Sequence, residues 1–330
     1  MDILVFEFIT GGGLRREPLP PGLAAEGELM LRALIEDLLE IPGVRPFILR
    51  DDRLDFGCLP RGVTATPIAA GDDPDRIWQD AIGRCDAVWP IAPETGGVLE
   101  RLCREVERTA TPLLNSPASA VAVAASKLAT AKTLERHRLP AVPTSPWQAR
   151  QDDASSALVV KPDDGAGCAG ARIIRSGCVV IPGPGRWVAQ PLLEGDSFSL
   201  SALFSDGRAR LLSCNRQHVE KTGDGFTLRG CTVNALDDPD GRWQTLACGV
   251  AAALPELWGY AGIDLIRTAG GPVILEINPR LTTSYAGLKA ATGENPAAMT
   301  LELHRTGRLP PPRTQRGTPV ALNLERSDAR

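Results

Sequence analysis

The sequence predicts an α/β fold in its N-terminal third and an α+β fold in the remainder. A parallel sheet comes first and antiparallel hairpins follow it. Three observations lead there. Residues 1–112 alternate short apolar runs with amphipathic helical segments, the pattern of a parallel sheet whose ligand edge lies at the strand C-termini. Beyond the Pro-punctuated linker RLPAVPTSP the pattern changes to paired apolar runs joined by Gly- and Asp-containing turns. At 330 residues the chain exceeds one ordinary core, so it should divide into subdomains.

Taken in order, ILVFEFI reads as a buried strand ending at Gly11-Gly12-Gly13. Residues 23–40 carry Leu31, Leu34, Ile35, Leu38 and Leu39 at helical spacing. VRPFILR is a second strand, CDAVWPIAP a third and VLERLCREVER a helix. TPLLNS is a short strand, with Asn115-Ser116-Pro117 opening an Ala-rich helix over 117–136. In the second part, SFSLSALF and RARLLSCN flank the turn Ser205-Asp206-Gly207, and GRWQTLACGVAAALPELWGY is a helix. GIDLIR and PVILEIN flank Thr268–Gly271. From about residue 308 the chain is Pro- and Arg-rich, a loosely held tail in which PVALNLE can add one strand.

Composition excludes several functions. Hydrophobic residues make up 43% and charged residues 23%, the balance of a soluble globular protein. The net charge of −4, with no dense Lys/Arg block, argues against a nucleic-acid partner. No apolar run approaches the roughly 20 residues of a membrane span, and the N-terminus shows no secretory signal. The eight cysteines form no C-x-x-C pair and most lie in apolar runs, so reduced thiols and a cytoplasmic location are expected.

Within ALVVKPDDGAGCAGARIIR, Gly165, Gly167 and Gly170 have the G-x-G-x-x-G spacing of a dinucleotide loop. That fingerprint needs a helix after the glycines, because the pyrophosphate sits on its N-terminus. Here a second β-branched run follows, so the loop joins two strands. A glycine-rich hairpin loop opened by Lys161 presents backbone N–H groups and one ammonium to phosphates instead. Cys168 in that loop has no histidine near it in sequence, which leaves Cys–His catalysis unsupported.

The segment GYAGIDLIRTAGGPVILEINPR carries the strongest signal. A three-residue turn Ala269-Gly270-Gly271 sets Asp264 opposite Glu276 and Gly262 opposite Asn278. Side chains alternate along strands, so Asp264, Glu276 and Asn278 share one face while Ile263, Leu265, Val273, Leu275 and Ile277 share the other. Like charges directly opposite are destabilising unless a cation lies between them. Two carboxylates and an amide oxygen suit a hard cation such as Mg²⁺.

With these residues in place, the chain resembles the ATP-grasp superfamily of carboxylate–amine ligases over about residues 113–290. The resemblance rests on SKLATAK, VVKPDDGAGCAGARI, AQPLLEG and GIDLI…ILEINPR in that order. VFEFITGGG, IAPETGG and NPRLTTSYAGL are similar to the tyramine–glutamate ligase group of methanofuran-type cofactor biosynthesis. The resemblance implies a pre-ATP-grasp subdomain over 1–112, a first lobe with the glycine loop over 113–192, a second lobe with the metal hairpin over 193–310, and a tail over 311–330.

It also implies roles. Lys127 and Lys161 would contact the phosphates of ATP, and Gly165–Gly170 would close over them. Gln190 and the backbone near Leu192 and Leu193 would take adenine, with Asp196 near the ribose. Asp264, Glu276 and Asn278 would hold two Mg²⁺ ions, and Arg280 would steady the transferring phosphoryl group. From their own positions, Arg216 lies on a strand expected to border the same cleft and can hold a substrate carboxylate. Thr282, Thr283, Ser284 and Tyr285 follow Arg280 directly and either line the acceptor pocket or form a turn that ends the strand. Ser126 stands where many relatives have Asp, and Gln190 where Glu is common. The implied partners are a small-molecule carboxylate, glutamate at its γ-carboxylate, and an amine, tyramine or tyrosine, with a homodimer left open. Another amino-acid or peptide ligase and a non-catalytic nucleotide-binding subunit stand as the alternatives.

Overall fold

A computed structural model describes residues 1–57, 59–147, 157–175, 183–313 and 317–324. Cys58, Cys178, the Ser-Gly break after Arg175 and the last six residues lie outside them. The N-terminal third builds a parallel sheet from β1 (Asp2–Glu7), β2 (Arg45–Asp51), β3 (Thr64–Ile68) and β4 (Ala87–Ile91) in the order β3-β2-β1-β4. Helices α1 (Pro21–Leu39), α2 (Pro74–Ile82) and α3 (Val98–Glu107) cover it. Ile3 to Phe6 are buried along the whole of β1, as a strand covered on both faces requires. Neither β3 nor α2 is among the elements expected from the sequence. β3 is a half-buried edge strand interrupted by Pro67, which an edge tolerates. TPLLNS forms no strand and contributes one bridge, Leu113 beside Val88.

The Ala-rich segment is two helices rather than one, α4 (Ala118–Ala125) and α5 (Lys127–Arg136). Ser126 between them is extended, with φ −90° and ψ 113°. The break is held by hydrogen bonds that a continuous helix could not make. Ser126 Oγ accepts from the Ala129 amide at 3.1 Å and donates to Asp163 Oδ2 at 2.8 Å. Asp163 also accepts the Lys127 amide on its carbonyl and the Leu128 amide on Oδ1. The free N–H groups of the first turn of α5 are thus capped from another element.

A small antiparallel sheet follows, with β5 (Ser145–Pro146), β6 (Leu158–Pro162), β7 (Arg172–Ile174) and β8 (Trp187–Pro191) in the order β5-β8-β6-β7. β6 and β7 pair antiparallel on either side of the glycine loop, so that loop does join two strands. The large sheet comprises β9 (Asp196–Ser205), β10 (Arg208–Thr222), β11 (Gly225–Leu236), β12 (Gly259–Thr268), β13 (Gly271–Asn278) and β14 (Val320–Asn323). Its order is β13-β12-β9-β10-β11-β14. Asp206 and Gly207 both take positive φ in a tight β9–β10 turn, and PVALNLE supplies the edge strand β14.

The hairpin β12–β13 has the expected pairs by a different route. Its turn has two central residues, with Thr268 paired to Gly271, and a bulge between Asp264 and Leu265 absorbs one residue of β13. Gly262 still faces Asn278, and Asp264 still faces Glu276. The bulge changes the apolar face, however. Ile274 and Ile277 are buried with Ile263 and Leu265, while Val273 and Leu275 are only half-buried.

Helix α6 (Arg242–Ala253) ends well before Tyr260, which lies in β12; α7 (Tyr285–Thr292) and α8 (Pro296–Thr306) complete the chain. α4, α5 and α6 pack on one face of the large sheet. α1 and α7 lie in a core that joins the other face, through Leu203, Val233 and Tyr260, to Ile3 and Val5 of the parallel sheet. Among the described residues no helix is long and apolar enough to cross a membrane.

Replacing Ser126 by Ala removes one cap acceptor and one donor to Asp163. It should cost about 1–2 kcal/mol, seen as a lower thermal midpoint. An unchanged midpoint would show that Asp163 alone holds the break.

Candidate active site

The site is a cleft of about 150 Å³ between the large sheet, the glycine loop and the N-terminal α/β unit. Its walls include Asp264, Asn278 and Arg280 from the hairpin and its exit. Ala166 and Gly167 come from the glycine loop, and Glu26 and Met30 from α1. Alternation decides which residues of the large sheet reach it. On β9, Ser199 faces the cleft while Phe198 and Leu200 are in the core behind. On β12, Asp264 faces the cleft while Ile263 and Leu265 are buried on the far side.

The two carboxylates are flanked by cations from separate elements. Glu276 Oε2 lies 3.2 Å from Lys127 Nζ and 4.0 Å from Lys161 Nζ. Lys127 also donates to the Gly165 carbonyl, which ties the first turn of α5 to the base of the glycine loop. Asp264 accepts from Gln217 Nε2 at 3.0 Å and from Asn278 Nδ2 at 3.1 Å. Burial, and then the negative charge of Glu276, push the Asp264 carboxyl up to about 7. Burial works on Glu276 in the same direction, but Lys127 and Lys161 outweigh it and hold that carboxyl below its ordinary range. Burial lowers the Lys161 ammonium. The two opposed acids and an amide form an all-oxygen donor set on one face. They fit a hard divalent cation better than a soft one.

Arg280 follows directly on β13. It donates to Glu94 Oε2 at 2.9 Å and to the Leu281 carbonyl at 3.0 Å. Arg280 Nε and Glu94 Oε1 are buried without a hydrogen-bond partner among the described residues. The glycine loop is clasped to the turn that carries Glu94. Asp164 Oδ2 accepts the Gly96 amide at 2.9 Å, and Thr95 Oγ1 accepts the Ala166 amide at 3.2 Å. Gly167 and Gly170 take positive φ, of 60° and 73°, as this loop path requires. Burial pushes the Cys168 thiol up to about 11, so it is not a thiolate at neutral pH.

Other expected site residues are placed less centrally. Gln190 is buried and donates to Thr144 Oγ1 at 3.0 Å. The Leu192 amide is already bonded to the Ala157 carbonyl. Asp196 is held between Arg216 at 3.2 Å and Arg267 at 3.0 Å.

Two substrate expectations need correction. Arg216 lies on the face of β10 opposite the cleft, and its exposed guanidinium is engaged with Asp196. Its neighbour Gln217 faces inward to Asp264, as strand alternation demands. Thr282, Thr283 and Ser284 line the cleft, but Tyr285 does not. Tyr285 opens α7 and is turned into the core, where it donates to Asp37 on α1 at 3.0 Å. Sequence reasoning also missed Glu94 and Glu26. Glu94 stands just beyond a parallel strand, where such sheets bind ligands, so that position was a usable signal. Glu26 had none.

Glu7 ends β1 at the cleft wall. Its carboxylate accepts from the amides of Ile9 and Thr10 and from the Thr10 hydroxyl, which folds the chain back after the strand. A Cβ at Gly27 would lie 2.6 Å from Glu7 Cδ, so glycine lets α1 sit directly on this carboxylate.

Two protein families match the chain, an ATP-grasp domain over residues 124–284 and a pre ATP-grasp 3 domain over residues 44–121. A tyramine–L-glutamate ligase of Methanocaldococcus fervens is 27% identical over 292 residues, 87% of this chain and 89% of that one. The crystal structure of an ATP-grasp superfamily protein from Archaeoglobus fulgidus superposes with a TM-score of 0.72 at 22% identity, covering 98% of this chain and 100% of that one. An L-amino acid ligase from Bacillus licheniformis superposes with a TM-score of 0.65 at 18% identity, covering 92% of this chain and 73% of that one.

Burial pushes the Glu7 carboxyl up to about 7, against the donors from Thr10 and Ile9. A raised acid means that the folded state keeps a proton the unfolded chain has already released. Stability therefore falls as pH rises from the ordinary 4.5 to about 7, and the loss is complete above that. Glu7→Gln should flatten the thermal midpoint between about pH 5 and pH 8 relative to the wild type. Parallel midpoint curves for the two proteins would contradict it.

Proposed function

We propose that this member of the ATP-grasp superfamily, an ATP-dependent carboxylate–amine ligase, joins the γ-carboxylate of L-glutamate to tyramine or a related aromatic amine such as tyrosine. The observation that carries the chemistry is the half-buried pair Asp264 and Glu276, flanked by Lys127, Lys161 and Arg280 at the foot of a glycine loop. The choice of substrates is supported by the name of the Methanocaldococcus fervens relative.

In this reading Lys127 and Lys161 approach the phosphates of ATP from two elements, and the backbone of Gly165–Gly170 covers them. Gln190 and the backbone near Leu192 and Leu193 would take adenine, and Asp196, on exchanging Arg216 and Arg267 for a ligand, would meet the ribose. Asp264, Glu276 and Asn278 would hold two Mg²⁺ ions. When bound, these ions supply charge neutralisation across the phosphates. Arg280 holds the transferring group with its guanidinium. A carboxylate oxygen attacks the γ-phosphorus in line. The new O–P bond forms as the bond to ADP breaks, and an acyl-phosphate results. The amine, after giving its ammonium proton to water, attacks the acyl carbon through its free nitrogen lone pair. The C–O bond to phosphate breaks, and the nitrogen passes its second proton to the departing phosphate to leave an amide. No side-chain nucleophile is needed, because such transfers depend on positioning and electrostatics. The loop and the N-terminal unit keep water from the acyl-phosphate.

Product analysis with MgATP and L-glutamate, with and without tyramine, tyrosine and other amines, tests this. Within this amine panel, ADP and phosphate should accumulate with glutamate plus an aromatic amine, together with a γ-glutamyl amide detected by mass. Another acid–amine pair would keep the ligase and discard these substrates. Glu276→Gln should lower turnover by about a hundredfold to a thousandfold. Unchanged turnover in that variant would remove Glu276 from the metal set.

A further inference from the structure

The cleft has two chemically different ends. Toward the hairpin lie the glycine loop, Asp264, Asn278 and Arg280, all charged, polar or backbone. Toward the N-terminal unit the wall is apolar, made by Ile9, Leu23, Met30 and Pro93. Two carboxylates border that apolar end, and they are not equivalent. Both oxygens of Glu7 are taken by Ile9 and Thr10. Glu26 is different. Its Oε1 accepts from Thr283 Oγ1 at 2.6 Å, and among the described residues nothing donates to its Oε2.

The position of Glu26 relative to the reacting end follows from the chain. Thr283 lies on the same short loop as Arg280, and the Glu26 carboxylate is near enough to Arg280 to interact with its guanidinium electrostatically. α1 is fixed against β1 through the close approach of Gly27 to Glu7. Glu26 is therefore held at the border between the apolar wall and the place where an acyl-phosphate would form. An amine nucleophile must arrive at that border. In water it arrives as an ammonium, since alkylamines titrate near 10. A partly buried carboxylate beside apolar walls is the complement of an ammonium on an apolar body. Glutamate, with two carboxylates, is a poor match to the same walls.

We propose that this end of the cleft is the amine subsite. Glu26 Oε2 receives the amine nitrogen, and Ile9, Leu23, Met30 and Pro93 hold the apolar body, so the site selects a primary arylalkyl amine over a short or anionic one. This rests on the ligase reading above.

The test separates activation of the acid from use of the amine. Hydroxylamine is small enough to trap a γ-glutamyl phosphate without an amine subsite, so the wild type with MgATP, glutamate and hydroxylamine should give the hydroxamate. Glu26→Gln keeps an acceptor for Thr283 and should raise KM for tyramine, or for whichever panel amine the wild type uses, about tenfold to a hundredfold more than KM for glutamate. Leu23, with 50% of its surface exposed, can be changed with little risk to folding. Leu23→Ser should narrow the preference for tyramine over ethylamine by about threefold to tenfold. In both variants the ratio of amide to hydroxamate should fall. The subsite alone would be overturned by hydroxamate from the wild type together with unchanged tyramine KM in both variants. A KM increase confined to glutamate in Glu26→Gln would overturn it too, by assigning Glu26 to the acid substrate. No hydroxamate and no ADP from the wild type with any acid would remove the ligase reading, and the subsite with it.

Discussion

Asp264 and Glu276 face each other across one ladder in a half-buried site, and the arrangement of the surrounding elements answers to that pair. Like charges so placed repel strongly where water is scarce. Relief comes from Lys127 at the start of α5, Lys161 near the end of β6 and Arg280 just past β13. Each cation belongs to a different element, so the acid pair draws the helix pair, the small sheet and the large sheet to one point. A ligand that brings both phosphates and a divalent cation can exchange these partners without leaving a buried charge uncompensated.

The cations reach that point because of another carboxylate, Asp163. This side chain caps α5 and binds Ser126. Its carbonyl takes the Lys127 amide, so the break between α4 and α5 is locked to the strand that leads into the glycine loop. A continuous helix through Ser126 would have carried Lys127 elsewhere. The loop is then clasped from the opposite side by Thr95 and Gly96. The glycine loop is thus tied on one side to α5 and on the other to the N-terminal α/β unit.

That junction explains why much of the cleft wall comes from the first third of the chain. α1 and α7 share one core between the parallel sheet and the large sheet. Tyr285 of α7 bonds to Asp37 of α1, and Thr283 just before α7 bonds to Glu26. These contacts fix the apolar end of the cleft against the polar end. The N-terminal unit is therefore part of the cleft wall as well as a scaffold.

Much of this was legible in the residues themselves. Short-range patterns carried the parallel β/α alternation, the hairpin nature of the glycine loop and the pairing of Asp264 with Glu276, because strand periodicity and turn chemistry are local. The pairing was reached through a three-residue turn, whereas the chain uses a two-residue turn and a bulge that cancel in register at Asp264 but exchange Leu275 for Ile274 in the core. What the sequence alone determined is the set of reactive groups carried by local motifs: Lys161 before the glycines, the opposed acids, and Arg280 after Asn-Pro. Only the tertiary structure decided which neighbours those groups have. It turned Gln217 rather than Arg216 toward Asp264, sent Tyr285 into the core, and brought Glu94 and Glu26 beside Arg280. The physical reason is range. Periodicity tells which face a side chain takes within its own strand or helix, whereas which face meets the cleft depends on how distant elements bury their apolar surfaces against one another.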